Sequence, residues 1–378
     1  MPSPQLLAFL LPQFHRIPEN DEWWGEGFTE WTNVKKAKSQ FPGHRQPRVP
    51  RGGRYYNLLD PSTQDWQAEL ARSHGLGGFC YYHYWFGGRQ LLEKPFNAIL
   101  RRGAPDFPFC LAWANEPWTR TWDGGDRNVL MPQAYGGRAE WEQHYRYLEN
   151  AFRDPRYIRV DGCPMLLIYR TASIAESSEM LDCWRDLAVR SGFAGLHVVS
   201  MRTYYGGDAR ELFDAHLEFE PFCTLTRLPF HRRAFEKVAN TASRLCWQAF
   251  GRAPYAPRSL DYRMIWRELA RRPVLPGHYP GAFVDWDNSP RKSLESSLVM
   301  RNVSIEAFRD GFSKLYEKAT LAGSPFIFIN AWNEWAEGTY LEPDEERGTA
   351  LLDVIKSVVA EGRTLPQAVE SLETTPSK

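Results

Sequence analysis

Residues Phe326–Gly338 read FIFINAWNEWAEG. The first half is a short, continuous apolar run. Such a run suits a strand buried on both faces, as in a parallel sheet. The second half turns to Asn, Glu and Trp. Working back from it, the chain holds seven more apolar runs, most of them followed by the same kind of residue. Leu6–Leu11 (LLAFLL) precedes Gln13 and His15. Gly78–Tyr82 (GFCYY) precedes His83, Tyr84 and Trp85. Phe107–Trp113 (FPFCLAW) precedes Asn115, Glu116 and Trp118. Met165–Tyr169 and Leu196–Met201 follow. Ala215–Phe219 precedes Glu220, and Gly281–Val284 precedes Asp285, Trp286 and Asp287.

Amphipathic patterns lie between the runs, at 62–74, 138–152, 174–190, 304–321 and 349–360. Gly75 is a natural stop for the first. Gly192, Gly323 and Gly362 stand where caps are expected for three others. Repeated strand–helix alternation implies right-handed βαβ units. Eight repeats favour an α/β fold of the closed (β/α)8 TIM-barrel type over an open doubly wound sheet. One catalytic domain is expected over residues 1–362, with a polar tail at 363–378. A long first loop (12–60), rich in Trp, Gly and Pro, and a helical insertion (221–275) exceed a minimal barrel. Long loops of this kind are more often functional than accidental.

The chain has 378 residues, with 46 Lys and Arg against 46 Asp and Glu. Zero net charge argues against a general nucleic-acid binder and against a polybasic membrane-surface protein. No run is long enough to span a bilayer, and no leader pattern opens the chain, so a cytoplasmic protein is expected. The six Cys form no C-x-x-C pair and read as buried reduced thiols. The unusual number is fifteen Trp, more than a core ordinarily needs.

In a (β/α)8 barrel, catalytic groups come from the C-terminal ends of the strands. Carboxylates interleaved with Trp and Tyr there suit a carbohydrate. Sugar C–H faces pack on aromatic planes, and hydroxyls need Asp, Glu, Asn and His. Glycosidic hydrolysis ordinarily uses two carboxyl groups, one of them holding a proton. Glu334 and Glu337 are the best pair, since a helical turn would project both to one side. Plain structural readings stand beside this one. Each Trp is also a candidate for core packing, Glu220 for a cap or an Arg partner, and His15 and His83 for satisfied structural histidines. Phosphate-binding glycine loops, H-E-x-x-H and G-x-S-x-G are absent from the sequence. Asp285-Trp286-Asp287 spells D-x-D, a short pattern that nucleotide-sugar transferases use to hold a metal.

Four long stretches carry a family resemblance: LPQFHRIPENDEWWGEGFTEWTNV (11–34), GFCYYHYWFGGRQLLEKPFN (78–97), FCLAWANEPWTRTWDG (109–124) and NAWNEWAEGTYLEP (330–343). The chain resembles the WbsX-type proteins from Leu6 to about Val359. That type is related to glycoside hydrolase family 99, the endo-α-mannosidase family. The resemblance implies a (β/α)8 barrel and a retaining, metal-free reaction. A carboxylate takes the proton of the substrate's own 2-hydroxyl, which closes a 1,2-anhydro sugar. A second carboxyl protonates the leaving oxygen and then activates water. On N-E-W-x-E-G, Glu334 falls at the base position and Glu337 at the acid/base position.

The leading expectation is therefore a retaining glycosidase acting on α-linked mannose or rhamnose in a bacterial polysaccharide, without a cofactor. His15, His83, Tyr84, Trp113, Asn115, Glu116, Trp118, Glu220, Asp285, Asp287, Asn333 and Trp335 are expected to surround the sugar. The alternatives are a lipopolysaccharide or O-antigen glycosyltransferase using Asp285 and Asp287 with Mn2+, and a catalytically silent carbohydrate binder. Eight Trp (23, 24, 31, 85, 113, 118, 286 and 335) are expected at the pocket.

Overall fold

In the computed structural model each apolar run becomes a strand. The structure describes residues 3–120, 125–203, 210–293 and 295–363; the expected tail falls, from residue 364 on, outside them. The barrel strands, in order, are Gln5–Leu10, Gly78–Phe86, Phe109–Trp113, Cys163–Ile168, His197–Arg202, Ala215–Glu218, a seventh in two halves (His278–Tyr279 and Gly281–Phe283), and Phe326–Asn330. Each pairs in parallel with the next, for example Leu111 with Leu166 and Leu166 with Val198. The first strand also pairs with the eighth, Leu7 opposite Phe328.

The seventh strand starts three residues earlier than the sequence suggests, and Pro280 divides it. Proline has no N–H for a ladder. The first half pairs with strand six and the second half with strand eight. That change of partner closes the ring. At Gly281 a Cβ would sit 1.9 Å from the Glu218 carbonyl oxygen, so only glycine permits the crossing.

The helices are α1 (Pro18–Trp24), α2 (Glu30–Lys36), α3 (Pro61–Ser73), α4 (Lys94–Arg102), α5 (Arg138–Phe152), α6 (Ser177–Arg190), α7 (Phe222–Thr226), α8 (Phe230–Phe250), α9 (Tyr262–Arg271), α10 (Ile305–Leu321) and α11 (Ala350–Arg363). Local chemistry sets several starts. Asp60 accepts the Ser62 N–H at 2.9 Å, Asp261 that of Met264 at 2.8 Å, and Ser304 that of Ala307 at 3.2 Å, each satisfying an orphan donor. Gly362 is not a cap. It lies inside α11, where a Cβ would meet the Tyr316 ring at 2.4 Å, so its role is close packing against α10. Among the described residues, no helix is long and apolar enough to cross a membrane.

Two features of the fold aim the site. Asn333, fully buried, accepts the Leu11 N–H at 2.7 Å and donates to the Leu11 carbonyl at 3.0 Å. Its amide thus extends the pairing of strands one and eight past their ends. The chain then makes a 3₁₀ turn over Trp335–Glu337 and leaves it at Gly338 with φ +67°.

Candidate active site

A cavity of about 740 Å3 opens at the C-terminal end of the barrel. Each wall follows from strand parity or from the loop behind it. Strand two continues to Phe86, four residues past the expected end. Alternation along it sends Tyr82 and Tyr84 into the cavity and His83 and Trp85 outward. Strand three contributes Ala114 and then Glu116 and Trp118; strand four, Tyr169 and Arg170; strand six, Phe219 and Phe222. Trp286 enters after strand seven, and Asn330, Glu334 and Glu337 after strand eight.

The floor is a charge cluster around Arg291. Its Nη1 donates to Glu337 at 2.7 Å and its Nη2 to Glu334 at 3.2 Å; Nη2 also pairs with Glu30, to which Nε donates at 3.1 Å. One guanidinium therefore faces three carboxyls. Positions i and i+3 of a 3₁₀ turn eclipse, which is why Glu334 and Glu337 reach the same cation. Burial pushes Glu334 up to about 8; Arg291 opposes this, and the charges of Glu337 and Glu30 add to it. Glu30 is also raised by burial, against Arg291. Burial and the two neighbouring carboxyls thus push Glu334 toward its protonated form. Glu116 is raised as well, by desolvation, although Arg170 pairs with it.

Of the fourteen residues picked from the sequence, Tyr84, Glu116, Trp118, Glu334 and Glu337 line the cavity. The other nine do not. His83 bonds His144 at 2.8 Å behind the sheet, and both rings are held neutral by burial. Trp113 packs on Trp184 and gives its N–H to the Trp85 carbonyl at 3.2 Å. His15 bonds the Pro12 carbonyl at 2.9 Å, with burial lowering it to about 4. Asn115 clamps residue 170, accepting its N–H at 2.7 Å and donating to its carbonyl at 2.9 Å. Glu220 pairs with Arg272, off the cavity lining. Asn333 stitches Leu11 as described. Trp335 lies beneath the turn, stacked on Tyr340 at 3.8 Å and donating to Glu342 at 2.7 Å.

Asp285 and Asp287 point away from Trp286, into a second cavity of about 420 Å3. Asp285 accepts from Arg48 at 2.9 Å, Arg347 at 2.8 Å and the Trp286 N–H at 2.8 Å. Asp287 accepts from His44 at 3.0 Å, Gln46 at 2.7 Å and the Ser289 N–H at 3.0 Å. Burial works against both charges, yet these partners hold both carboxyls below the usual range. Four oxygens already held by cations and N–H donors do not fit a divalent metal, so the D-x-D reading loses its ligands. The pair instead braces the turn that carries Glu334 and Glu337: Asp287 N–H donates to the Glu337 carbonyl at 2.7 Å, and Arg48 to the Gly338 carbonyl at 3.0 Å. Glu218, Glu220 and Cys223 also cluster, but Arg272 and Arg227 hold the Glu218 oxygens, at 3.0 and 2.9 Å, and Arg272 and the Thr224 N–H hold those of Glu220.

Sequence reasoning missed Tyr82, Glu30 and Arg291. Tyr82 was concealed by the underestimated strand length. Glu30 and Arg291 meet across 261 positions, which no local pattern encodes. The Trp expectation is corrected too: of the eight, only Trp24, Trp118 and Trp286 line the cavity, while Trp31, Trp85, Trp113 and Trp335 are buried in packing.

Solved structures share this fold. An endo-α-mannosidase of glycoside hydrolase family 99 from Bacteroides thetaiotaomicron superposes with a TM-score of 0.55 at 14% identity, over 95% of this chain and 97% of that one. A glycoside hydrolase-like protein superposes with a TM-score of 0.57, also at 14% identity, over 95% of this chain and 94% of that one. By sequence, the WxcX protein of Xanthomonas campestris pv. campestris is 37% identical over 360 residues, which is 94% of this chain and 49% of that protein. The chain thus spans about half the length of the curated relatives it matches. A family model described as Glycosyltransferase WbsX matches residues 6–355, and the chain belongs to that WbsX family.

Proposed function

We propose that the chain is a carbohydrate-active enzyme that cleaves α-linked mannose or rhamnose in a bacterial polysaccharide with retention. The observation that supports this best is the pair Glu334 and Glu337, joined through one guanidinium on the floor of an aromatic-walled cavity. In this reading Glu334 takes the proton of the sugar's 2-hydroxyl. The freed oxygen bonds to C1 as the C1–O bond to the leaving group breaks, and Glu337 delivers its proton to the leaving oxygen. Water then attacks C1, giving its proton to Glu337. The C1–O2 bond of the anhydro ring breaks, and O2 recovers the proton from Glu334. Two inversions give net retention.

A hydroxyl is a weak acid, so its base must be strong. Burial and two neighbouring carboxyls make Glu334 a stronger base than an exposed Glu, at the cost of keeping it protonated until about pH 8. Tyr82, Tyr84, Trp118 and Trp286 offer stacking faces, and Gln13, Asn288 and Asn330 offer hydroxyl partners. Replacing Glu337 with Gln is expected to reduce turnover of unactivated glycosides roughly 100- to 10,000-fold, the range of one general acid; aryl glycosides whose leaving group needs no proton should rescue the first step, read as a burst of released aryl alcohol, but not the water attack, which still lacks its base. Wild-type rates in that variant on unactivated glycosides would remove the assignment.

A further inference from the structure

The zero net charge of the chain conceals a segregation. Residues 221–275 carry eleven Lys and Arg against three Asp and Glu. All three acids are engaged within the fold. Glu236 is buried against Arg301 at 2.8 Å, Asp261 caps α9, and Glu268 pairs with Arg271 at 3.0 Å. Arg227 and Arg272 answer Glu218 and Glu220 outside the segment; Arg233, Lys237, Arg244, Arg252, Arg258, Arg263, Arg267 and Arg271 remain as exposed cations.

Helix α8 is seated by one face. Glu236 holds Arg301, Asn240 bonds Ser259, and Ser243 donates to the Tyr255 carbonyl at 2.6 Å. The opposite face carries Phe235, Val238, Ala242, Leu245 and Ala249, all exposed and spaced three, four, three and four apart. Phe235 is 67% exposed, Val238 71% and Leu245 57%, and Phe230 and Phe250 at the helix ends reach 86% and 77%. Half of the ten exposed large apolar side chains among the described residues are on this one helix. Arg233, Lys237 and Arg244, also exposed, run along one flank of the stripe. Glu236 is the only acid on the helix, and it faces inward.

An apolar stripe left in water marks an interaction site. We propose that α8 is a docking element for an anionic lipid surface. The stripe enters the boundary between headgroups and acyl chains, while Arg233, Lys237 and Arg244 meet lipid phosphates. The charges on the helix make it lie on the surface rather than cross it. Two copies of α8 packed on each other would bring cationic flanks together with no exposed acid to pair them, so the charge favours lipid over a second copy. The same insertion supplies Phe222 and Arg258 to the wall of the large cavity. Docking through α8 therefore brings part of the cavity's rim close to the bilayer. The inference stands independently of the reaction performed there.

Co-sedimentation of the full chain with vesicles tests it. Binding is expected to phosphatidylglycerol–phosphatidylcholine vesicles and not to phosphatidylcholine alone, and it should weaken at 1 M salt, where screening shortens to about 3 Å. Two surface variants separate the contributions: Lys237→Glu with Arg244→Glu, and Phe235→Ser with Val238→Ser and Leu245→Ser. Each should lower partitioning at least roughly tenfold while the melting temperature stays at the wild-type value. Three outcomes overturn the proposal. They are no preference between the vesicles, partitioning unchanged in both variants, and a dimer in sedimentation velocity that the serine variant dissolves.

Discussion

Arg291 is the residue on which the site's electrostatics turn. It is 11% exposed and faces three carboxyls. Removing it leaves buried charges without a counter-ion, which typically costs about 3–5 kcal/mol. Arg291→Gln is expected to lose stability of that order in urea unfolding at pH 7, and much less near pH 4, where more of the carboxyls are protonated. Glu334 has the opposite sign. A carboxyl raised in the folded state is ionised more readily in the unfolded chain, so it lowers stability once pH rises above the ordinary carboxylate range. That loss grows until the folded group itself ionises near pH 8. Glu334→Gln should therefore be more stable than wild type by at least about 1 kcal/mol at pH 8, with the gap closing toward pH 4. A variant no more stable than wild type at pH 8 would mean that Glu334 is not a strained carboxyl. The pH profile of kcat/KM reads its role. A base must be ionised, so activity should climb through about pH 8; a fall there would make Glu334 the acid instead.

Among elements, the split seventh strand and the turn after the eighth matter most. Gly281→Ala forces a methyl into the Glu218 carbonyl, and a clash with backbone cannot be relieved by rotating a side chain. The expected loss is roughly 3 kcal/mol or more in denaturant unfolding; a near-neutral result would contradict the close crossing. Asn333→Ala removes both bonds to Leu11 without touching the cavity wall. It should lower kcat more than it raises KM, because it frees the turn that aims Glu334 and Glu337. The strands were legible in the sequence because runs buried on both faces are continuous. Their ends were not, and the ends decide which side chain faces the cavity. Four extra residues in strand two keep Tyr84 at the cavity, add Tyr82 and turn His83 and Trp85 outward. Asp285 and Asp287 were selected for their chemistry, but parity beside Trp286 turns them outward to Arg48 and Arg347.

For the whole molecule, eight strand–helix units implied a closed ring, and the ring is found. Glu334 and Glu337 were legible because they share one turn. Glu30, which comes from the first long loop, was not, because its partner is brought to it only by closure of the barrel. Composition misled in two ways. Excess Trp reads as a sugar platform, yet much of it holds loops and helices to the barrel. Neutral charge reads as a neutral surface, yet the insertion is strongly basic. In the proposed reaction Glu334 and Glu337 cleave an α-glycoside with retention. NMR of the first-formed sugar, released by the wild-type chain from aryl α-mannosides and α-rhamnosides, tests it most directly. The α-anomer should appear first and only later mutarotate; first appearance of the β-anomer would contradict the mechanism.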